Sequence, residues 1–140
     1  MTERVAACAC GQLQIRCSGE PALVPLCHCV QCQRRTGSPF GVGAFFDAAA
    51  TAVSGASRRW QRTADSGHTV TFHFCETCGS SVYWHAAKLP DHIGVAVGCF
   101  ADPQFQMPTL EAYGERRHRW VADLQTCRVA AAPGTQDPES

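Results

Sequence analysis

Apolar and polar residues along this chain alternate in short runs, and turn residues punctuate them every few positions. Gln12-Leu13-Gln14-Ile15-Arg16-Cys17 alternates throughout, which predicts a half-buried strand. Ser18-Gly19-Glu20-Pro21 ends it in a turn. Leu23 to Leu26 predicts a short strand, and Arg34-Arg35-Thr36-Gly37-Ser38-Pro39 predicts a helical turn running out into a loop. Gly41-Val42-Gly43-Ala44-Phe45-Phe46 predicts a buried strand whose glycines let another part of the chain approach closely. Asp47 to Thr51 predicts a single helical turn capped by Asp47. A Ser-Gly-Ala-Ser loop then precedes Trp60. His68 to Phe74 has the clearest alternation in the chain and predicts a strand, as do Ser81 to His85 and Ile93 to Gly98. Residues 101–120, with Pro103 and Pro108, predict irregular structure. The pattern describes an all-β domain of small packed antiparallel sheets with short helical turns, spanning residues 1–129. Residues 130–140 are small, polar and proline-containing, which predicts a disordered tail.

Composition narrows the function classes. The chain has 140 residues, a formal net charge of zero and a pI near 7.0. That balance argues against a nucleic-acid-binding domain, which carries a basic excess. Arg116-Arg117-His118-Arg119 is a local basic run, but four residues make a small phosphate footprint and read as a solvated face. Lys88 is the only lysine. No apolar stretch approaches the roughly 20 residues that span a bilayer. No secretory signal is visible at the start, so a reducing, cytoplasmic setting is expected, with no membrane partner.

The 10 cysteines carry the chemistry. Seven of them fall into three close-spaced groups: Cys8-Ala9-Cys10, Cys27-His28-Cys29-Val30-Gln31-Cys32 and Cys75-Glu76-Thr77-Cys78. Spacings of C-x-C and C-x-x-C aim two sulfurs at one point, as metal ligands require, and zinc is the default metal for thiolates. Without a secretory signal this outweighs a disulfide scaffold. The Cys75–Cys78 pair sits at the tip of an expected hairpin, and Cys8 and Cys10 are a matching pair. Together the four thiols make a closed structural zinc site that staples the domain.

Cys27, Cys29 and Cys32 remain. They bind either one zinc with the fourth position open, or one zinc closed by a histidine such as His28, His73 or His85. Zinc with three thiolates carries net charge −1 and acidifies water less than a three-histidine site does, so thiol chemistry suits it better than hydrolysis. No H-E-x-x-H or G-x-S-x-G motif points elsewhere. Cys17 and Cys99 lie in apolar patterns and read as buried, inert thiols, and Cys127 reads as incidental.

Three motifs in order resemble one family. They are Cys8-x-Cys10-Gly11; then Cys27-His28-Cys29-x-x-Cys32, followed by Arg34-Arg35 and Gly37-Ser38-Pro39-Phe40; then Cys75-x-x-Cys78-Gly79. This is the pattern of the glutathione-dependent formaldehyde-activating enzymes, which also include the centromere protein V domain, and it covers roughly residues 5–121. The resemblance implies a β-tent fold stapled by zinc. It implies a structural zinc on Cys8, Cys10, Cys75 and Cys78, and a second, catalytic zinc on Cys27, Cys29 and Cys32. It also implies condensation of formaldehyde with glutathione to S-hydroxymethylglutathione, a carbon–sulfur lyase activity. The chain departs from the family where many members carry a His-Ile-Trp-like segment: here the region reads Glu111-Ala112-Tyr113.

The expected protein is therefore an enzyme with two zinc ions per chain that acts on a small thiol and an aldehyde. Arg34 and Arg35 are candidates to clamp substrate carboxylates, because a guanidinium pairs with a carboxylate in bidentate fashion. Thr36 and Ser38 fit either substrate hydrogen bonds or turn chemistry. Two alternatives belong to other classes. One is a non-catalytic zinc-stabilised module that binds a protein. The other is a thiol redox protein like methionine sulfoxide reductase B, whose zinc signature uses two C-x-x-C pairs instead.

Overall fold

The computed structural model describes residues 2–130, so the expected tail lies outside the described residues except for Ala130. Ten strands and one short helix follow one another. They are β1 (Glu3–Ala7), β2 (Gln14–Ser18), β3 (Pro25–Cys27), α1 (Val30–Thr36), β4 (Gly41–Asp47), β5 (Thr51–Ser54), β6 (Ser57–Thr63), β7 (Thr69–Cys75), β8 (Ser81–Ala86), β9 (His92–Ala96) and β10 (Leu110–Ala112). They build a three-stranded sheet in the order β1-β2-β5 and a seven-stranded sheet in the order β10-β3-β4-β9-β8-β7-β6. The pairings are antiparallel except β10 on β3, which is parallel. The fold is the all-β arrangement of small sheets that the alternating pattern describes.

The pattern works because a strand has two faces. Ala44 and Phe46 of β4 and Ile93 and Val95 of β9 point to one face of the large sheet. There they pack with Ala6, Ile15 and Cys17 of the small sheet, all three fully buried. The alternate residues build a second apolar cluster on the opposite face: Phe45, Val70, Phe72, Trp84 and Ala86. This second face is the floor of the site described below.

Trp84 sets a local condition on that floor. Its indole lies across the backbone of the neighbouring strands at Gly43 and Gly94. A Cβ added at Gly94 would stand 2.3 Å from Trp84 Nε1, and one at Gly43 2.5 Å from Cζ2. Gly94→Ala is therefore expected to displace the indole and cost about 1–3 kcal/mol, the scale of overpacking a core. A thermal unfolding curve checks this, and an unchanged midpoint would show that the indole is not held there.

Several elements differ from expectation. β1, β5, β6 and β10 are strands beyond those the alternation predicts, and β10 falls in the stretch expected to be irregular. In β6, Ser57–Thr63, only Trp60 is apolar, and the strand forms because it pairs with β7 along its whole length. It is an edge strand, where its arginines, Arg58, Arg59 and Arg62, suit a solvent-facing border. β9 stops at Ala96, and Val97–Phe100 is a 3-10 turn rather than the strand's end. The helical turn expected to end near Arg35 is the full helix α1, starting at Val30. The expected turn after Asp47 is present: Asp47 Oδ1 accepts from Ala49 N–H at 3.2 Å.

Candidate metal centres

Two turns bring the first cluster together. The turn after β1 carries Cys8 and Cys10, and the β7–β8 hairpin carries Cys75 and Cys78. Gly11 and Gly79 follow them at φ +83° and +80°, a left-handed conformation that glycine adopts without steric cost. The four Sγ atoms lie within 4.8 Å of one another. Cys8 and Cys10 sulfurs are 3.6 Å apart, and Cys10 and Cys75 sulfurs 3.7 Å. A tetrahedral ion with metal–sulfur bonds of about 2.3 Å would separate its ligands by about 3.8 Å. The four thiols fit such an ion.

Donors already point at these sulfurs. Leu13 N–H donates to Cys8 Sγ at 3.3 Å, and Thr77 and Cys78 N–H donate to Cys75 Sγ at 3.3 and 3.4 Å. Gln12 Nε2 donates to Cys75 Sγ at 3.0 Å and to Ala56 O at 2.6 Å, tying the cluster to the β5–β6 turn. Such donors favour the thiolate form. The Ser80 hydroxyl leads the hydrogen bonds that pull Cys78 down to about 5. Burial opposes ionisation of Cys75, but the Gln12 and backbone hydrogen bonds outweigh it and bring that thiol to about 7.

The second cluster sits where β3 meets α1. Cys27 ends β3, and Cys29 caps the helix by accepting from Cys32 N–H at 3.3 Å. The cap forces Cys29 and Cys32 onto the same end of the helix, beside Cys27. The three Sγ atoms lie within 4.8 Å of one another, and among the described residues no histidine or carboxylate joins them. His28 is fully buried and points away, its Nε2 2.6 Å from Glu111 Oε1 on β10. Arg117 reaches the same carboxylate oxygen at 3.1 Å, so the pair pins the chain after β10 against the cysteine loop. His73 and His85 pack instead around Tyr83 on β7 and β8, His73 stacked on it with ring centroids 4.4 Å apart. With no fourth protein ligand among the described residues, one side of the three-thiol cluster is left to solvent or ligand.

That side opens into a pocket of about 340 Å³ over the second apolar face. Cys27, Cys29 and Cys32 line it, and none of the other four clustered cysteines does. Phe45, Phe72 and Trp84 form its floor. Arg35 lies on that floor, its guanidinium carbon 4.7 Å from the Trp84 ring centre and 5.2 Å from that of Phe72. The Cys27 thiol donates the hydrogen bond that contributes most to pulling Cys32 down to about 5, with Cys29 and the Arg35 guanidinium adding to it against burial. The same bond pushes Cys27 up as the protonated partner.

Arg34 and Arg35 part company. Neighbours on a helix diverge by about 100°, so only one of them can face the pocket. Arg35 lines it; Arg34 is exposed beside Gly37, Ser38 and His118 on the outer surface. Thr36 Oγ1 donates to Cys32 O at 2.8 Å and accepts from Ser38 N–H at 3.0 Å, which is turn chemistry. Tyr113 from the divergent segment lines the pocket mouth. Burial leads in raising its phenol, followed by the negative charges of Asp65 and the nearby thiols, so it stays a proton donor.

Of the two unclustered cysteines expected to be buried, Cys17 is and Cys99 is only partly so. Cys17 is fully buried, and burial pushes its thiol up to about 11 against the opposing charge of Arg4. Below the ordinary value of 9.0 the thiol is neutral in both folded and unfolded chains, so its contribution to stability is complete. Above that the unfolded thiol ionises first, so stability should fall between pH 9 and 11. Urea titrations of wild type and Cys17→Ala across that range check this. The wild type should lose stability more steeply than the variant, and parallel curves would assign the loss to other groups. Cys99 is partly buried, and Cys127 is exposed.

The chain is a small all-β domain with two cysteine clusters that could each hold a metal ion, one of four thiols and one of three. Its sequence places it more narrowly: a family model described as "Glutathione-dependent formaldehyde-activating enzyme" matches residues 3–116, and the chain belongs to that family. A search of curated proteins finds no significant match. Among solved structures, a Rhodobacter sphaeroides protein determined in a structural genomics programme is similar at TM-score 0.56 and 22% identity. The match covers 76% of this chain and 98% of that one. At that identity the likeness speaks to the fold. Among the described residues no helix is long and apolar enough to cross a membrane.

Proposed function

We propose that residues 1–129 form a single zinc-stabilised domain that binds two zinc ions and works as a carbon–sulfur lyase on a thiol–aldehyde adduct. Glutathione and formaldehyde, combining to S-hydroxymethylglutathione, are the substrates the family name suggests. One observation carries the reading: the three-thiol cluster faces a pocket and the four-thiol cluster does not. Cys8, Cys10, Cys75 and Cys78 hold the structural ion, and Cys27, Cys29 and Cys32 the reactive one. A zinc ion on those three thiolates supplies a Lewis acid that favours the thiolate form of a substrate and polarises an aldehyde oxygen.

The chain's own residues do the rest. Phe45, Phe72 and Trp84 keep water from the floor, which strengthens charge interactions there. Arg35 is held against Trp84 next to Cys32, where its guanidinium meets a carboxylate or the developing alkoxide. The substrate sulfur gives its electron pair to the carbonyl carbon, the carbon–sulfur bond forms, and the carbonyl π pair passes to oxygen. The thiol proton is released and the alkoxide takes up a proton, for which Tyr113 is a donor at the mouth. The reverse sequence breaks the carbon–sulfur bond. Exchange between free formaldehyde and S-hydroxymethylglutathione can be followed by NMR. Zinc-loaded protein should accelerate it, and an unchanged rate would sink this substrate assignment and favour a non-catalytic, protein-binding module.

A further inference from the structure

We propose that Glu111 is a positioning residue for the three-thiol cluster, acting through His28 as part of a strap, residues 111–118, laid behind the cysteine loop. The inference rests on the reading of Cys27, Cys29 and Cys32 as a metal site. His28 stands between two of those cysteines, and its side chain takes no part in the cluster. It is fully buried, and its ring has one hydrogen-bond partner: Nε2 lies 2.6 Å from Glu111 Oε1. A carboxylate offers only lone pairs, so Nε2 carries the hydrogen. Nδ1 is buried without a partner, so no other hydrogen bond orients the ring. Glu111 therefore sets the angle of a side chain whose neighbours on both sides are thiol ligands.

The main chain at His28 is held from the same side. Its N–H donates to Ala112 O at 3.0 Å, where β10 runs beside β3 with Ala112 opposite Cys27. Its carbonyl accepts from Gln33 Nε2 at 2.8 Å. Gln33 is tied back to the strap: Nε2 also donates to Arg116 O at 3.4 Å, and Oε1 accepts from His118 Nε2 at 3.0 Å. Arg117 closes the arrangement by donating to Glu111 Oε1 at 3.1 Å. Arg117 and His118, from the basic run that reads in sequence as a solvated face, thus hold the strap to the loop and to α1. Contacts of this kind orient a metal ligand without touching the metal. They serve one cluster only. Among the described residues, the hydrogen-bond partners of the four-thiol sulfurs outside that cluster are Gln12, Leu13, Thr77 and Ser80, none of them in the strap. Within the strap, Tyr113 lines the pocket mouth at φ +55°, a left-handed conformation that a bulky residue rarely adopts. The contacts that fix the thiols therefore also fix the mouth.

The test is the rate at which zinc-loaded, fully reduced protein gives up its metal to the chromogenic chelator 4-(2-pyridylazo)resorcinol, with no substrate present. Wild type should release one ion quickly and the other slowly, and Cys29→Ser should lack the quick phase, which assigns that phase to the three-thiol cluster. Glu111→Ala should speed the quick phase by roughly 10- to 100-fold, the scale on which such supporting partners affect metal affinity, and leave the slow phase unchanged. Glu111→Gln keeps an acceptor for His28 and should bring the quick phase back toward wild type. Arg117→Gln, at an exposed position, should speed the quick phase by a smaller factor without risk to the fold, and it decides the matter if Glu111→Ala does not fold. A merely structural role would speed both phases together. That result, or a quick phase unchanged in Glu111→Ala and Arg117→Gln, would overturn the positioning role while leaving the metal site in place. A wild type that holds one zinc, or releases both in a single phase, would instead remove the open metal site, and the strap inference falls with it.

Discussion

Cys75→Ser should leave the chain without a cooperative fold. Cys75 is almost fully buried between the core and the four-thiol cluster, and three donors point at its sulfur: Gln12 Nε2 and the Thr77 and Cys78 amides. A structural zinc contributes about 10–16 kcal/mol of binding free energy in small zinc domains. A domain of this size is stable by only about 5–15 kcal/mol. Weakening that site by removing one thiolate therefore takes away an amount comparable with the whole. The cluster also holds the start of the chain to the β7–β8 hairpin, so its loss frees both. Circular dichroism and thermal melting of the variant should show no sharp transition. A variant that melts within a few degrees of wild type would mean that packing, not metal, holds the two turns together.

Cys29→Ser should have the opposite profile. The site it disrupts sits at the edge of the fold, where β3 hands over to α1, and its residues line a pocket rather than the main core. Serine can keep the helix cap, since its hydroxyl also accepts from the Cys32 amide. The fold and the four-thiol site should survive, with a melting midpoint near that of wild type. Exchange activity should drop by more than about a hundredfold, because even the partners that merely support a metal ligand cost about 10–100-fold when removed. Unfolding of this variant would instead make the middle cluster structural. Retained activity would move the chemistry away from these cysteines.

The two profiles reflect how much could be read before folding. Close spacing made both clusters legible, because C-x-C and C-x-x-C bring sulfurs together whatever the rest of the chain does. The strands at His68–Phe74, Ser81–His85 and Gly41–Phe46 were legible because one or both faces are buried. Strand β6 was not, since its stability comes from pairing with β7 and its outward residues are arginines. Its Arg62 was missed for the same reason: nothing local marks an arginine as facing a pocket lined by five strands. Trp84 left a fainter sign, because Gly43 and Gly94 within apolar strands mark a close approach whose partner only the sheet order supplies. The adjacent pair Arg34-Arg35 looked equivalent in sequence, and only the helical turn of α1 separates the pocket residue from the exposed one.

Zinc per chain is the first quantity to measure, by elemental analysis on protein purified without chelator and with its thiols kept reduced. The four-plus-three partition gives two per chain in the wild type and one in Cys29→Ser. A single zinc in the fully reduced wild type would contradict it, leaving Cys27, Cys29 and Cys32 as a metal-free thiol cluster and removing the proposed reactive centre.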